Sequence, residues 1–335
     1  MKGDLTEKFG KINLGDMQEY RNVAAFPLFC GYKAPVKHLV LSQAMEKGLI
    51  TIGEVDEGGH VPQLKVVNDA DMPVLILDGE ELFGAKQNRV LNTTVLLRKH
   101  STTIIPVSCT EQGRWHYESK HFSESGIIMS PRLREVKNRS VQESLRTSSE
   151  FRSDQGAIWN GIREQADCAS VNSRTGAMRD VHEKRREDIS DYGRHFPPVP
   201  DQQGILVAIN KEVVGMDLVA DMDAYALLHD KLVKSYVMDA LVQADGEHSL
   251  IDRAKDRDFL ESIAWCDITR YRSVGHGWDV RFQGKNITGS ALEYRGRAVH
   301  LAFFASLAET QKEGNGRMAG HQRRAAYRYR YRTDK

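Results

Sequence analysis

Short apolar runs separated by turn-forming residues dominate the first 130 residues and restrict the fold that the chain can adopt. The runs are VAAFPLFC, LITIGEV, QLKVV, PVLIL and TTIIPVSC, with glycine, proline, asparagine or aspartate between them. Runs of this length with such boundaries are typical of β-strands, and hairpin signals favour antiparallel pairing. Alternating strand and helix units, which build parallel sheets, do not occur in the pattern. We therefore predict an α+β fold with mostly antiparallel sheets.

The segment 130–201 differs in composition from the β-rich segment 16–129 that precedes it. It is polar and rich in arginine and serine, and a proline cluster ends it. Helical patterns lie around 141–151, 157–169 and 178–192. Because its apolar content is too low for a core of its own, we predict a helical insertion within a single domain that spans 16–308.

The second half of that domain, 202–308, returns to strand patterns and adds two helices. One helix carries apolar side chains on a single face around Tyr225–Tyr236, and the other covers about Arg253–Ala264. The final stretch predicts a four-stranded meander with glycine-containing turns. In the first half, one helix is predicted from about Val36 to Lys47. Residues 309–335 are rich in glycine, arginine and tyrosine and predict a disordered basic tail.

Composition excludes several classes of protein. The formal net charge of +1 gives no overall attraction to nucleic acid or to membranes. The amino terminus lacks the apolar segment of a signal peptide, and no apolar run approaches the length of a membrane span. The four cysteines include no CxxC pair and are predicted to be reduced thiols. We predict a cytoplasmic protein without membrane contact, in which only the tail 323–332 has the mixed aromatic and cationic character of a nucleic-acid binder.

An internal similarity links two parts of the chain. Residues 73–86 align without gaps with 204–217, and both read strand, turn, glutamate, two apolar residues and glycine. In the first copy, Asp78 and Gly79 predict a two-residue hairpin turn, because a type I′ turn needs positive φ at both positions. Duplication and chance both explain the alignment at this point. Two equivalent hairpins would support duplication.

A block of four consecutive polar residues, Lys86 to Arg89, interrupts the apolar stretch that follows the first of these turns. Lysine and arginine supply fixed positive charge, and Gln87 and Asn88 both donate and accept hydrogen bonds. This mixture suits a phosphate or carboxylate beside the polar edge of a sugar or base. An edge strand or bulge whose polar residues prevent aggregation is the alternative. The pattern alone leaves both open.

A second polar block, TEQGRWHYESKH, directly follows the run TTIIPVSC. Within it, Glu111 is a candidate general base, or else an ion-pair partner of Lys86 or Arg89. The alternative is a structural salt bridge with Trp115 covering the core. Both PVLIL and TTIIPVSC are predicted to be interior strands of one sheet, and short antiparallel connections would then bring the two polar blocks together.

The second polar block gives little support to a cysteine nucleophile or to a metal site. Cys109 lacks an identifiable third group to orient a base, so we do not predict a nucleophile. His116 and His121, with Glu111 and Glu118, have no second motif with metal-ligand spacing. We predict no metal site, and the sequence identifies no cofactor.

Three motifs in the first half and one in the last quarter together resemble a known family. The motifs are GEELFGAKQNR, the following NTTVLL, IPVSCTEQGRW, and GHGWDVRF…ITGSALEY…AVHLAFF. In this order they resemble the ARG and rhodanese-phosphatase-superfamily-associated protein domain, first type, over about Tyr20 to Ala305. The family is named for gene neighbours that include ADP-ribosylglycohydrolases. The resemblance implies a role in NAD-derived nucleotide or ADP-ribose metabolism, which is a class of ligand and not a mechanism.

With this resemblance, an anion-facing bend becomes the favoured interpretation of the first polar block. We predict a protein that binds or processes a phosphate-bearing, NAD-derived or ADP-ribose-like nucleotide, and leave open whether it is an enzyme. The predicted catalytic residue is Glu111. The predicted ligand-binding residues are Lys86, Gln87, Asn88, Arg89, Arg114 and Trp115.

The alternative function is a non-catalytic interaction module that docks a partner protein or RNA through the helical insertion and the basic tail. An enzyme should gather Lys86, Arg89, Glu111 and Arg114 around one concave pocket. A scaffold should instead expose an apolar patch on the insertion.

Overall fold

The computed structural model describes residues 12–56, 62–243 and 253–306. The strands before the helical segment are β1 (Ile12–Leu14), β2 (Gln18–Tyr20), β3 (Val23–Cys30), β4 (Leu39–Val40), β5 (Ile50–Glu54), β6 (Gln63–Asn68), β7 (Val74–Ile76), β8 (Glu80–Gly84), β9 (Arg89–Leu91), β10 (Val95–Leu97), β11 (Ser101–Cys109) and β12 (Phe122–Ile128). The later strands are β13 (Gly204–Ile209), β14 (Glu212–Val219), β15 (Asp267–Arg272), β16 (Trp278–Gln283), β17 (Ile287–Tyr294) and β18 (Arg297–Ala305). The helices are α1 (Leu41–Glu46), α2 (Pro131–Ser148), α3 (Gln155–Cys168), α4 (Met178–Lys184), α5 (Arg186–Gly193), α6 (Met222–Val242) and α7 (Arg253–Ala264).

A nine-stranded antiparallel sheet forms the larger part of the fold. Its order is β1-β3-β13-β14-β18-β17-β16-β15, and β2 also pairs with β3. Strands β15 to β18 form the meander that the sequence predicts. Both faces are covered, since Phe26 and Leu206 pack with α7 on one side while Ala25 and Val207 pack with α6 on the other. Strands β3 and β13 are therefore apolar along their whole length.

A six-stranded sheet, ordered β12-β8-β9-β11-β6-β5, carries both polar blocks at the ends of its strands. Its edge strands β5 and β12 contact each other, so the sheet curls around its own apolar interior. Ile52, Leu64, Leu91 and Val107 line this interior, one from each of four strands. We call this element the curled sheet. Because side chains alternate along a strand, residues two positions from these four also point inward.

A three-stranded sheet, β10-β7-β4, takes up the run PVLIL, and its β4–β7 pair is parallel. The prediction that PVLIL and TTIIPVSC share one sheet is therefore wrong. The reason lies at Gly79, where the amide of Glu80 donates to the carbonyl oxygen of Leu77 over 3.2 Å and Gly79 has a φ of +82°. Positive φ at the second central residue alone is the pattern of a type II turn, which carries the chain out of one sheet and into the next.

The predicted hairpin at Asp78-Gly79 is consequently wrong as well. Strand β7 pairs with β10 and β4, and β8 pairs with β9 and β12. In the second segment, β13 and β14 do pair with each other, through a turn at Asn210 and Lys211 in which both residues have positive φ. The two segments are thus not equivalent hairpins, and their sequence alignment has no structural counterpart.

The helices α2 to α5 occupy 131–193 between β12 and β13, as a helical insertion requires. Helix α2 begins ten residues before the predicted pattern because Ser130 precedes Pro131, a residue favoured in the first helical turn. The predicted helix 178–192 is interrupted at Arg185. No helix in the described ranges has both the length and the apolar character that a membrane crossing requires. The single domain 16–308 stays a prediction, and the tail 309–335 lies outside the described residues.

An ion network with no exposure to solvent joins the helical insertion to the sheets. Arg134 of α2 donates to both carboxylate oxygens of Asp217, at 2.8 and 2.7 Å, and lies 3.4 Å from Asp78. Lys137, one turn further along α2, pairs with Asp78 and donates to the carbonyl oxygen of Leu91 at 2.6 Å. Although burial acts to raise it, the pKa of Asp217 is held well below its usual value by Arg134 and by His300.

The same network contains a hydroxyl, an imidazole and a carboxylate in series. The Thr94 Oγ1 and His300 Nδ1 atoms lie 2.8 Å apart, and His300 Nε2 lies 3.2 Å from Asp217. Because the ionised carboxylate can only accept, His300 carries a proton on Nε2. Thr94 is only 4% exposed and also accepts from the amide of Asp78 at 2.9 Å. Because Thr94 is almost inaccessible to solvent, we assign this hydroxyl–imidazole–carboxylate series to the structural network and not to a reactive site.

Removing Arg134 should be far more damaging than removing an exposed arginine from the same helix. Arg134→Met leaves Asp217 buried without its main partner and removes one of the cations beside Asp78. Breaking a buried ion pair costs about 3–5 kcal/mol in other proteins. We expect a large fall in the urea midpoint. Arg146→Met, which breaks an exposed pair with Glu143, is the matched control and should keep a midpoint close to that of the wild type. Equal midpoints for the two variants would contradict a stabilising role for the network.

Candidate functional site

The two polar blocks lie side by side, and the pairing of β9 with β11 places them there. Arg89 is opposite Cys109 in the ladder, and the amide of Thr110 donates to the carbonyl oxygen of Asn88 at 3.0 Å. The turn 86–89 and the segment 110–115 therefore leave the curled sheet at the same end. The predicted juxtaposition thus occurs by a different strand pairing from the one that suggested it.

Arg114 holds the two blocks together from inside. Its Nε donates to Glu111 at 2.9 Å, and Nη1 donates to the carbonyl oxygen of Ala85 at 2.8 Å. Nη2 donates to the side-chain oxygen of Asn88 at 3.0 Å. Glu111 also accepts a weak bond of 3.4 Å from the amide of Asn88. Arg114 and Glu111 are both buried and satisfy each other, so they fix the shape of the turn.

The helical insertion supports the second block through backbone contacts. The side-chain amide of Gln155 in α3 both donates to and accepts from the backbone of Cys109, at 2.8 Å in each case. The amide of Gly113 donates to the carbonyl oxygen of Thr175 at 2.7 Å. A Cβ at Gly113 would lie only 3.0 Å from backbone atoms of Thr175, so this close approach favours glycine.

Two cations of the first block lie beneath aromatic rings. Lys86 Nζ is 5.6 Å from the ring centroid of Trp115 and 5.0 Å from that of Tyr117. Arg89 Cζ is 5.7 Å from the centroid of Trp115. The rings are half exposed, Trp115 at 48% and Tyr117 at 50%, whereas both cations are buried. The aromatic rings thus separate a positively charged site from solvent, held by cation–π attraction.

The guanidinium of Arg89 makes fewer hydrogen bonds than its buried donors allow. Its side chain is fully buried, pointing into the curled sheet on the same side as Leu91. Nη1 donates to Gln87 at 3.0 Å, but neither Nε nor Nη2 has a hydrogen-bond partner among the described residues. Burial lowers the pKa of this guanidinium from its ordinary value. A buried charge with free donors is costly, and such groups mark places where a ligand or water belongs.

Glu54 is a residue of this site that the sequence analysis missed. It ends β5, and the alternation Ile50, Ile52, Glu54 directs its side chain into the curled sheet with the two isoleucines. Both of its carboxylate oxygens are buried, and within the described ranges neither accepts a hydrogen bond. Its negative charge favours the charged form of Arg89, so the two groups are neighbours. The sequence did contain a signal for this residue, because alternation along LITIGEV places Glu54 on the same face as the two isoleucines.

Glu81 lies on the opposite face of the curled sheet, beneath the helical insertion. It is opposite Val90 in the β8–β9 pair, and Val90 packs against α2 and α3. The hydroxyl of Thr110 donates to Glu81 at 2.8 Å. Burial raises the pKa of this carboxyl from 4.5 to about 7. A group next to the second block therefore titrates near neutral pH.

An open cleft of about 870 Å³ adjoins the site, between the outer face of β5 and β6 and the segment 117–121. Tyr117 and Glu54 belong to its walls, but none of the predicted ligand-binding residues does. The structure therefore gathers Lys86, Arg89, Glu111 and Arg114, but under a cover and not around an open pocket. In the described part of the chain, no group of three or more His, Cys, Asp or Glu side chains is placed to hold a metal ion.

Comparison with known families extends over nearly the whole described chain. A model of the ARG and rhodanese-phosphatase-superfamily-associated protein domain matches residues 11–304. This range includes every strand and helix above except the last residue of β18. No curated protein matches the chain, and no solved structure does.

Glu81→Gln should change how stability depends on pH. Because the folded state binds this proton more tightly than the unfolded chain, the free energy of unfolding of the wild type falls as pH rises from about 4.5 to about 7. Glutamine keeps the bond from Thr110 and carries no charge. The variant should therefore gain on the wild type by up to roughly 3 kcal/mol at pH 8 and lose this advantage near pH 5.

Urea unfolding at pH 5, 6, 7 and 8 measures this difference. Glu46→Gln, which removes an exposed carboxyl from α1, is the control and should follow the wild type at each pH. A Glu81→Gln profile parallel to that of the wild type would show that the buried carboxyl does not titrate in this range.

Proposed function

Because this chain belongs to the ARG and rhodanese-phosphatase-superfamily-associated protein domain family, we propose that it binds a phosphate-bearing, NAD-derived or ADP-ribose-like nucleotide. The binding site lies at the end of the curled sheet, where the turn 86–89 meets the segment 110–115. Lys86 and Arg89 bind the anionic group, and Trp115 stacks on a planar one. Gln87 and Asn88 hold the turn and supply polar contacts beside it.

The proposal depends mainly on the buried side chain of Arg89, whose hydrogen-bond donors are not all used. The Nε and Nη2 atoms form the edge of a guanidinium that pairs with two oxygens of a phosphate or carboxylate. In Arg89 both atoms are buried and have no hydrogen-bond partner in the described residues. A charged hydrogen bond contributes about 1.5–3 kcal/mol, so a bound oxyanion would offset the cost of burying this charge.

The aromatic cover supports the same function. A cation–π contact at an exposed ring is worth about 0.5–1 kcal/mol, which is less than a charged hydrogen bond to phosphate. A phosphate can therefore displace Trp115 or Tyr117 from Lys86 at small cost. The displaced ring then becomes available to stack on the base of the nucleotide. Ligand entry thus exchanges a weak contact for two stronger ones.

The proposal gives Glu111 and Arg114 fewer roles than the sequence predicts for them. Glu111 was predicted as general base or as a group that orients the cations, and its pairing with Arg114 supports the second role. Arg114 binds ligand only indirectly, since its donors hold Glu111, Asn88 and the backbone of the turn. The proposal is therefore one of ligand binding and includes no reaction step.

The scaffold alternative has no comparable observation in its favour. It requires an exposed apolar patch on the insertion 130–201. The large hydrophobic side chains that are exposed in the described structure all lie elsewhere, at Ile104, Trp115, Tyr117, Met222, Leu227, Trp265 and Trp278. The predicted nucleic-acid contact at 323–332 lies outside the described residues. A cytoplasmic location remains part of the proposal, and the buried thiols of Cys30, Cys109 and Cys266 suit a reducing compartment.

Ligand binding can be tested by a thermal-shift screen with NAD, ADP-ribose, AMP and inorganic phosphate, followed by calorimetric titration. A ligand at a hundred times its dissociation constant stabilises the fold by about 2.7 kcal/mol. Lys86→Ala should weaken binding of ADP-ribose roughly tenfold or more, because a charged contact to phosphate is lost. Glu111→Gln removes the carboxylate that pairs with buried Arg114, so it should loosen the turn and weaken ADP-ribose binding together with a fall in melting temperature.

Lys99→Ala is the matched control for Lys86→Ala. Lys99 is exposed and precedes β11, so it lies at the far end of that strand, about 30 Å from the polar blocks. It should leave the dissociation constant unchanged. If none of the phosphate compounds binds, or if both lysine variants bind ADP-ribose like the wild type, the proposed site is wrong.

A further inference from the structure

An unsatisfied anion and an unsatisfied cation face the same interior. Glu54 is the last residue of β5 and Arg89 is the first residue of β9, and both point into the curled sheet on the side of Ile52 and Leu91. Strands β6 and β11 lie between β5 and β9, and by register Glu54 is level with Ile105 of β11 while Arg89 is level with Cys109. The negative charge of Glu54 nevertheless acts on Arg89 and favours its charged form. The strands thus hold opposite charges close enough to interact but without a hydrogen bond between them.

The arrangement differs from that of a structural ion pair. Opposite charges in a low-dielectric interior attract strongly, and a pair that serves stability closes to hydrogen-bond distance, as Arg134 and Asp217 do at 2.7 Å. Glu54 leaves two acceptors unused and Arg89 leaves two donors unused. A molecule that fits between them must therefore present two donors at one end and two acceptor oxygens at the other.

A sugar phosphate with two adjacent hydroxyl groups has this pattern. The two oxygens of a carboxylate can accept from both hydroxyls of a vicinal diol, and the guanidinium edge can donate to two phosphate oxygens. We propose that Glu54 binds the 2′,3′-diol of the ribose while Arg89 binds the phosphate, so that the site selects ribonucleotides over 2′-deoxyribonucleotides. This inference rests on the proposed function and adds the recognition of the sugar to it.

The selectivity has a physical origin. When a ligand lacks the 2′-hydroxyl, one oxygen of Glu54 stays buried without a partner, and the site itself disfavours that ligand. A charged hydrogen bond of this kind corresponds to roughly a tenfold or larger change in the dissociation constant. The opposing possibility is a water molecule that bridges the two charges permanently, which would give no preference for ribose.

The test is calorimetric titration of the full chain with AMP and with 2′-deoxy-AMP. The wild type should bind AMP at least about tenfold more tightly. Glu54→Gln should remove that preference, mainly by weakening AMP, because the amide has one acceptor and no charge. Asp56→Asn is the matched control. It removes an equal charge from an exposed residue two positions away, on the cleft wall, and should retain the preference.

A second measurement separates ligand recognition from a structural role. Without nucleotide, Glu54→Gln removes a buried charge that has no hydrogen-bond partner in the described chain, so its melting temperature should equal or exceed that of the wild type. A water-bridged ion pair predicts a lower melting temperature and overturns the inference. Equal affinity for AMP and 2′-deoxy-AMP, or no AMP binding at millimolar concentration, overturns it as well. None of these results would contradict ADP-ribose binding that depends on Lys86. The proposed function and the proposed recognition of ribose can therefore fail independently.

Discussion

The pairing of Arg134 with Asp217 is the interaction on which the assembly of this fold depends. Arg134 belongs to the helical insertion, Asp217 to the nine-stranded sheet, and Asp78 to the turn that leads into the curled sheet. None of these charges has solvent to compensate it, and a buried charge without its partner is strongly destabilising. Arrangements of the three elements that separate these side chains are therefore strongly disfavoured.

The geometry of the candidate site depends on this arrangement. Helix α2 is fixed by Arg134, and α3 packs against it through Leu133 and Ile162. From α3, Gln155 holds the backbone of Cys109, where the second polar block begins. Asp78 begins the turn into β8, which continues to the first block. Both blocks are thus positioned by rigid elements, which is what a preorganised binding site needs.

The sequence predicted those parts of the fold whose signals are local. The meander β15–β18 was predicted because each strand and turn is visible within a few residues. The run PVLIL was assigned to the wrong sheet because strand propensity does not depend on the partner, and the type II turn at Gly79 resembles a hairpin signal. Arg134 and Lys137 were missed because they lie in a polar helix and their partners, Asp78 and Asp217, are distant in sequence.

For the candidate site, the sequence identified the residues but not their burial. The polar blocks were recognised by their residue types, yet nothing local indicates that Lys86 and Arg89 are buried beneath Trp115. Hydrogen bonding, and not burial, distinguishes Arg89 from Arg134, since both side chains are fully buried. Arg134 is surrounded by acceptors and contributes to folding, whereas Arg89 carries the same charge with two of its three guanidinium nitrogens unused. Since folding alone does not select an unsatisfied buried guanidinium, the difference between them is the physical argument that Arg89 serves a ligand.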